Sequence, residues 1–167
     1  MIIEEPYRSN NKSLNREFTV LTTNSIDLII NKLTDNDQGV VEILDKFINF
    51  GIRLIQDTEE LQEEIHEFEE LFQFHITDLN FIFWINVSKG KITYEKGFNA
   101  NASIRVSITK DLLLKIFKGE ISGTEAYMKG LMNVHGSLSH AFKVKNFLRL
   151  LMDYLKINSK SNSKSNE

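Results

Sequence analysis

The spacing of apolar residues divides the chain into a helical first half, a middle region of alternating residues and a helical end. Residues 1–24 show no sustained period and are predicted to form a loosely ordered arm, with a short strand near 18–21. Ser25 can cap a short helix that runs to Leu33. Apolar residues then recur at helical spacing over 40–55 and again over 61–68, which predicts two amphipathic helices.

From Leu71 the period changes to two residues, which is typical of β-strands that bury one face. Short polar turns join the first four alternating stretches, so we expect these to form an antiparallel meander. A fifth strand follows later in the chain. The predicted strands are 71–77, 81–88, 91–96, 102–108 and 131–135.

Helix signals lie on both sides of the fifth strand. Thr109 and Ser122 are predicted to cap two short helices, and Gly119 and Gly130 are predicted to end them. A last helix is predicted over residues 138–157. Helices before and after a run of strands indicate an α+β fold.

The length of 167 residues fits one domain with short appendages. Residues 1–35 are predicted to form an N-terminal arm and a short helix, and residues 36–157 the folded domain. Residues 158–167 consist almost wholly of Ser, Lys and Asn, and this tail is predicted to be disordered because it has nothing apolar to bury. A domain of this size can build its core without disulfides, and the chain has no cysteine.

Charge narrows the class of protein. The formal net charge is −3, which disfavours binding of nucleic acid through a basic surface. Eight acids and no Lys or Arg occupy residues 57–70, whereas six Lys or Arg residues and two acids lie after residue 137. The first residues do not resemble a secretory signal, and no apolar run reaches the ~20 residues of a membrane span. We therefore expect a cytoplasmic protein.

Motifs of enzymes and of metal sites are missing from the sequence. It contains no Gly-x-Ser-x-Gly elbow, no phosphate-binding loop and no dinucleotide fingerprint. Glu63 and His66 have the spacing of a di-iron ligand pair, but no second pair accompanies them, so a solvated acidic helix face is favoured. Ser137 follows a histidine closely and is predicted to cap the last helix. The sequence thus predicts no catalytic residue, no metal and no cofactor.

Residues 71–147 resemble the sterol carrier protein type-two family through segments that occur in the family's order. The similar segments are 72–74 (FQF), 84–90 (WINVSKG), 102–108 (ASIRVSI), 109–113 with 118–119 (TKDLL and KG), 126–130 (AYMKG) and 132–138 (MNVHGSL). Three features depart from the pattern. Residues 1–35 have no counterpart, and the last helix continues past the family's usual end. Phe83 occupies the position of a customary tryptophan, with Trp84 one place on and on the opposite face.

The resemblance implies a five-stranded, mainly antiparallel sheet that helices cover on one face, with an elongated apolar tunnel between them. Such a tunnel suits a fatty-acyl chain, a sterol or a polyprenoid-like lipid. The sheet alternation and the helix stripes indicate which side chains would line it, although ordinary core packing is the alternative for each. These candidates are Phe74, Phe83, Ile85, Ile104, Val106, Leu113, Ile116, Phe117, Tyr127, Met128, Met132, Val134 and Phe142.

The favoured function is that of a non-enzymatic lipid carrier. The alternative is a structural or oligomerising domain of the same fold, with a cavity closed by some of the twelve Phe side chains. Ile82, Trp84 and Leu131 share the phase opposite the core, so we expect the arm or a second copy of the chain to cover an apolar outer face.

The last helix combines a broad apolar surface with several bases. This predicts either transient contact with a membrane or packing of its second half against the N-terminal helices or a partner subunit.

Overall fold

The structure, a computed structural model, describes residue 31 and residues 39–162, with side chains described as far as residue 153. The predicted arm at 1–24 and its short strand lie outside the described residues. The same holds for the predicted helix at 25–33, apart from residue 31, and for residues 163–167 of the predicted tail.

Residues 39–162 form five helices and five strands. The helices are α1 (Val40–Gln56), α2 (Glu59–Ile65), α3 (Lys110–Phe117), α4 (Gly123–Met128) and α5 (Leu138–Asn162). The strands are β1 (Glu69–Ile76), β2 (Phe81–Ser88), β3 (Lys91–Lys96), β4 (Ile104–Ile108) and β5 (Asn133–Gly136). One turn of 3₁₀-helix (Thr77–Leu79) joins β1 to β2. The predicted α+β class is confirmed.

The strands form one mixed sheet in the order β3-β2-β1-β4-β5. The first three pair antiparallel, as in a meander, but β4 returns to the middle of the sheet and lies parallel to β1. The prediction of a four-stranded antiparallel meander is therefore wrong at β4. The period of a strand reveals which face it buries but not which strand it pairs with. Because β5 is again antiparallel to its neighbour β4, the sheet as a whole is mainly antiparallel, as predicted.

Side-chain caps and C-terminal glycines bound the short helices where the sequence predicts them. The amide of Leu112 donates to Thr109 Oγ1 at 3.4 Å, and the amide of Glu125 donates to Ser122 Oγ at 3.0 Å. At the end of α4, Gly130 adopts a φ of +68°, which a residue with a Cβ rarely adopts.

This helix end also displaces the start of the fifth strand. The amide of Leu131 donates to the carbonyl of Ala126 at 2.9 Å, so Leu131 completes the C-terminal motif of α4 and β5 begins only at Asn133. Leu131 is exposed beside α4. The prediction that it shares the outer face of the sheet with Trp84 is wrong.

Two helices end away from their predicted bounds. The acidic helix ends at Ile65, because Glu69 and Glu70 already belong to β1. The last helix continues to Asn162 rather than ending near residue 157, since no Gly or Pro interrupts its backbone there.

The helices cover one face of the sheet. Phe147 of α5 packs its ring against Phe72 of β1, with the centroids 5.8 Å apart. Tyr94 of β3 donates a hydrogen bond of 2.6 Å from its hydroxyl to Asp45 of α1. In α1, a Cβ added to Gly51 would lie 3.1 Å from Leu151 of α5. Leu151, at the middle of α5, therefore packs on α1. Packing of the later part of α5 against the N-terminal helices or a partner subunit stays a prediction.

The outer face of the sheet is more polar. Ile82 and Trp84 are half-buried there. Near them Gln73 is buried, and its side-chain oxygen accepts a hydrogen bond of 2.6 Å from the amide of Asn99. Coverage of Trp84 by the N-terminal arm or by a second copy stays a prediction, because the arm lies outside the described residues.

Candidate ligand cavity

A cavity of about 320 Å³ lies between the sheet and the helices. Its floor is formed by β4 with parts of β1 and β5, and its walls by α3, α4 and the first part of α5. The side chains that face it are nearly all apolar. Both its size and its lining are typical of small-molecule sites, which are concave and mostly apolar.

The structure brings ten of the thirteen candidate residues together around this cavity. Three belong to the floor strands β1 and β4, three to α3, and the others to α4, β5 and their neighbours. They are Phe74, Ile104, Val106, Leu113, Ile116, Phe117, Tyr127, Met132, Val134 and Phe142. That they contact a ligand stays a prediction.

The other three candidates do not reach the cavity. Phe83 and Ile85 are buried on β2, nearer the other edge of the sheet, where Phe83 stacks on Phe74 at 5.1 Å and closes off the space. Met128 is 80% exposed at the end of α4, because the buried residue of this short helix is Ala126. The alternation and stripe patterns place a residue on a face but do not tell whether the opposing element leaves a gap there.

Several lining residues were not among the candidates, and most lie on α5. They are Ile108, Gly123, Thr124, Gly136, Leu138, Ala141, Val144, Lys145, Leu148, Arg149 and Met152. Ala141, Val144 and Leu148 form one helical stripe, which is a signal that the sequence does contain. The period shows that this stripe is buried, but not that it faces the cavity.

The cavity opens to the surface beside α4 and the start of α5. Tyr127, Leu138 and Phe142 line it and are also exposed. Two bases extend the same side, since Lys145 and Arg149 line the cavity as well. The ammonium group of Lys145 lies 6.0 Å from the centroid of the Phe142 ring, within the range of a cation–π contact.

A buried carboxylate attaches the start of α5 to the sheet. The side chain of Glu70 on β1 is 1% exposed. Three polar side chains lie within hydrogen-bond distance of its two carboxylate oxygens. Lys143 Nζ lies 2.6 Å from Oε1, His140 Nδ1 lies 2.6 Å from Oε2, and Ser103 Oγ lies 2.9 Å from Oε2. His140 and Lys143 flank Ala141 and Phe142, so the contact holds the stretch of α5 that walls the cavity.

Glu70 is buried, whereas the other acids of the run at 57–70 are exposed. Burial alone would raise the pKa of its carboxyl group, but hydrogen bonds from Lys143, Ser103 and His140 outweigh burial, and the pKa is lowered from its ordinary value of 4.5. The group is therefore ionised at neutral pH. The sequence contains a signal for this burial, because Glu70 lies two residues before the buried Phe72 and therefore on the same face of β1.

A second hollow, between α3 and α4, has a mixed lining of charged and apolar side chains. Its lining includes Lys115 with Asp111 at 2.9 Å and Lys129 with Glu125 at 2.6 Å. None of the thirteen candidates lines it. Among residues 39–153, no group of three or more His, Asp or Glu side chains is placed to hold a metal ion. No helix in the part of the chain that the structure describes has the length and apolar composition needed to cross a bilayer.

These features define a class of protein: an α+β domain with a mixed five-stranded sheet and an apolar cavity under its helices. The model of the SCP-2 sterol transfer family matches residues 52–149, more than half of the chain. The chain belongs to this family. The resemblance seen in the sequence is thereby confirmed.

Solved structures share the fold. Sterol carrier protein 2 from Yarrowia lipolytica, in its apo form, is 16% identical, with a TM-score of 0.53 over 69% of this chain and 94% of that chain. The ubiquinone synthesis protein UbiJ-SCP2 is 14% identical, with a TM-score of 0.52 over 71% of this chain and 92% of that chain. A comparison with curated proteins found no match.

A weaker likeness is to part of an enzyme. The inverting sec-alkylsulfatase Pisa1 from Pseudomonas sp. is 17% identical, with a TM-score of 0.47 over 52% of this chain. The chain spans 14% of that enzyme's length.

Proposed function

We propose that the protein is a non-enzymatic lipid carrier that holds a fatty-acyl, sterol-like or polyprenoid-like chain in the cavity between its sheet and helices. The observation that carries this proposal is the apolar cavity of about 320 Å³, which opens at Tyr127, Leu138 and Phe142. Membership of the SCP-2 sterol transfer family supports the same class of ligand.

The physical chemistry of the lining favours an apolar ligand. Water inside such a cavity finds few hydrogen-bond partners, and apolar cavities of this kind stay dry or take up hydrocarbon. A lipid chain that enters restores the dispersion contacts that the lining lacks. Each Å² of apolar surface that leaves water adds about 25 cal/mol.

The polar groups of the lining support a carrier rather than an enzyme. Among the residues that line the cavity, none is Asp, Glu, His or Cys. The polar side chains of the lining belong to Thr124, Tyr127, Lys145 and Arg149. These can hold a polar headgroup, but they do not include a general base beside a nucleophile.

The alternative is a structural domain in which the cavity is closed. Phe74, Phe117 and Phe142 all line the cavity, so rotation of these rings would fill part of it. The two functions differ in a direct observable, because a closed cavity takes up no acyl probe.

A matched pair of variants tests the carrier function. Met132 lines the cavity, whereas Met128 lies outside it and is exposed. Met132→Trp should fill the cavity and weaken binding of a fluorescent fatty acid by roughly tenfold or more, since it removes space for several methylene groups. Met128→Trp should bind as the wild type does. Equal binding by both folded variants, or no binding by the wild type, would contradict the proposal.

Two further parts of the function stay proposals. A transient membrane contact through α5 agrees with the exposed Leu138 and Phe142 at its start. A homodimer is compatible with the half-buried Ile82 and Trp84 on the outer face of the sheet. A cytoplasmic location and the lack of a nucleic-acid partner likewise remain predictions from charge and composition.

A further inference from the structure

The first segment of α5, residues 138–143, lies between the cavity and the buried carboxylate of Glu70. Three apolar residues of the segment line the cavity: Leu138, Ala141 and Phe142. Two other residues, His140 and Lys143, contact Glu70. The segment therefore walls the cavity with one set of side chains and is attached to β1 by another.

Apolar packing holds this segment less firmly than it holds the helix that follows. The side chains at its two apolar ends are exposed, Leu138 by 64% and Phe142 by 57%. Immediately after the segment, Val144 and Phe147 are 5% and 3% exposed, and the ring of Phe147 packs on Phe72 of β1. The helix is thus anchored in the core from Val144 onward, and movement of residues 138–143 alone would uncover little apolar surface.

Polar contacts hold the segment in place of that packing. His140 Nδ1 and Lys143 Nζ each lie 2.6 Å from an oxygen of Glu70. The side chains of His140 and Lys143 are 37% and 50% exposed, so water already reaches both partners of the buried carboxylate. If the segment moves away, water replaces them at Glu70. Because separated ions regain their hydration, much of the attraction lost on opening is recovered.

A glycine precedes the segment. Gly136 ends β5 with a φ of +136°, and glycine accommodates the changes in φ and ψ that a hinge requires. The cap between them is long, since the amide of His140 donates to Ser137 Oγ at 3.4 Å, compared with 3.0 Å for the cap at Ser122. The segment is therefore bounded by a hinge residue on one side and by the buried Val144 on the other.

We propose that residues 138–143 are a gate of the cavity, and that the contacts of His140 and Lys143 with Glu70 are the latch that keeps it closed. The proposal rests on the proposed function, because it gives the route by which a lipid chain enters and leaves the same cavity. Leu138 and Phe142 form one side of the opening and Tyr127 of α4 forms the other, so displacement of the gate widens the opening. Exchange then passes through a minor open state whose population the latch sets.

The kinetics of ligand exchange test the gate. The probe is anthroyloxy-stearate, a fluorescent fatty acid, and stopped-flow fluorescence follows its uptake and its displacement by excess oleate. The test variant is Lys143→Met, which removes one contact of Glu70 and keeps an unbranched side chain. The matched control is Lys129→Met, because Lys129 also lies 2.6 Å from a glutamate, Glu125, but within α4. Neither lysine is among the described residues that line the cavity.

Lys143→Met should raise the rate constants of uptake and release together by roughly tenfold, because loss of a charge-assisted contact favours the open state by about that factor. The dissociation constant should change by less than about twofold, since a gate affects both directions alike. Lys129→Met should exchange the probe as the wild type does. Unchanged rates in Lys143→Met would overturn the gate. So would a higher dissociation constant with unchanged uptake, because Lys143 would then act only on the shape of the wall.

A second variant on the other side of the latch checks that the two residues act together. Glu70→Gln should accelerate exchange to a similar extent as Lys143→Met. In the Glu70→Gln background, Lys143→Met should change the rates by less than about twofold, because the latch is already broken. Fully additive effects on the rates would show that the two residues act separately and would overturn the latch.

Hydrogen exchange of the folded protein distinguishes opening of the gate from general loss of stability. In Lys143→Met the amides of residues 138–143 should exchange faster than in the wild type, whereas those of residues 144–153 should change little. An equal acceleration along the whole helix would show global destabilisation and would contradict a local gate.

Equilibrium binding separates this proposal from the one on which it rests. A wild type that binds the probe, together with latch variants that exchange it no faster, rejects the gate and leaves the carrier function intact. A wild type that binds no probe rejects the carrier function and the gate with it.

Discussion

The ammonium group of Lys143 and the carboxylate of Glu70 lie 2.6 Å apart and join the last helix to the first strand of the sheet. Glu70 is buried, whereas the side chain of Lys143 is half exposed. Leu138, Ala141 and Phe142 of the same helix segment wall the cavity. The ion pair therefore bears on both the stability of the fold and the shape of the cavity.

Glu70 should make the stability of the fold fall in acid. Its pKa in the folded protein is below the ordinary value of 4.5, so its contribution is complete above that value and is lost as the pH falls through the lowered pKa. Glu70→Gln should destabilise the protein by about 1–3 kcal/mol at neutral pH, because it removes charge-assisted hydrogen bonds. Urea unfolding across the acidic range measures both effects.

The pH dependence of the stability difference between wild type and Glu70→Gln distinguishes the charge of Glu70 from its packing. Wild type and Glu70→Gln should converge in stability as the pH falls through the lowered pKa of Glu70, because the wild-type carboxylate is then protonated as well. A variant that stays less stable by the same amount at every pH would show that Glu70 acts through packing alone.

Gly136 should be sensitive to the addition of one methyl group. Its φ is +136°, and a Cβ would lie 2.6 Å from the carbonyl oxygen of Ser103 on the neighbouring chain segment. Gly136→Ala should cost about 1–3 kcal/mol, since it adds a clash to a strained backbone conformation. Gly97→Ala is the control, because Gly97 also has a positive φ but no atom within 4 Å of the added Cβ.

The two alanine variants separate backbone strain from the clash. Thermal unfolding should give a lower melting temperature for Gly136→Ala than for Gly97→Ala. Equal losses would mean that strain alone matters and that β4 and β5 can move apart at no cost.

Tyr94 should help to hold α1 on the sheet. Its hydroxyl donates to Asp45 at 2.6 Å, and Lys96 lies 2.9 Å from the same carboxylate. Burial and the hydrogen bond to Asp45 raise the pKa of Tyr94 above its ordinary value of 10.0. Tyr94→Phe should cost about 1 kcal/mol, which chemical denaturation can measure. An unchanged stability would show that water replaces this hydrogen bond fully.

Local signals in the sequence predicted most of the helices and strands, but not which strands pair with each other. Residue types alone revealed the ends of the short helices, because caps and C-terminal glycines act within one helical turn. The caps are Thr109 and Ser122, and glycines end α3 and α4. The parallel pairing of β4 with β1 depends on contacts between segments about thirty residues apart. No short-range period contains that information.

The candidate site was predictable to a similar degree. Ten lining residues followed from faces of strands and helices, but the contribution of α5 depends on how that helix crosses the sheet. Sequence reasoning did not single out Glu70 within the acidic run at 57–70, although its spacing from Phe72 matches the buried phase of β1. The partners that make burial tolerable, His140 and Lys143, lie seventy and seventy-three residues further along the chain.

Analysis of the purified protein for bound lipid tests the carrier function most directly. Native mass spectrometry of the wild type, followed by organic extraction and mass spectrometry of the extract, should reveal a long-chain lipid that dissociates from the intact complex. Met132→Trp should carry much less of it, whereas Met128→Trp should carry the same amount. A wild type that contains no lipid and takes up no added fatty acid would contradict the account and favour a structural domain with a closed cavity.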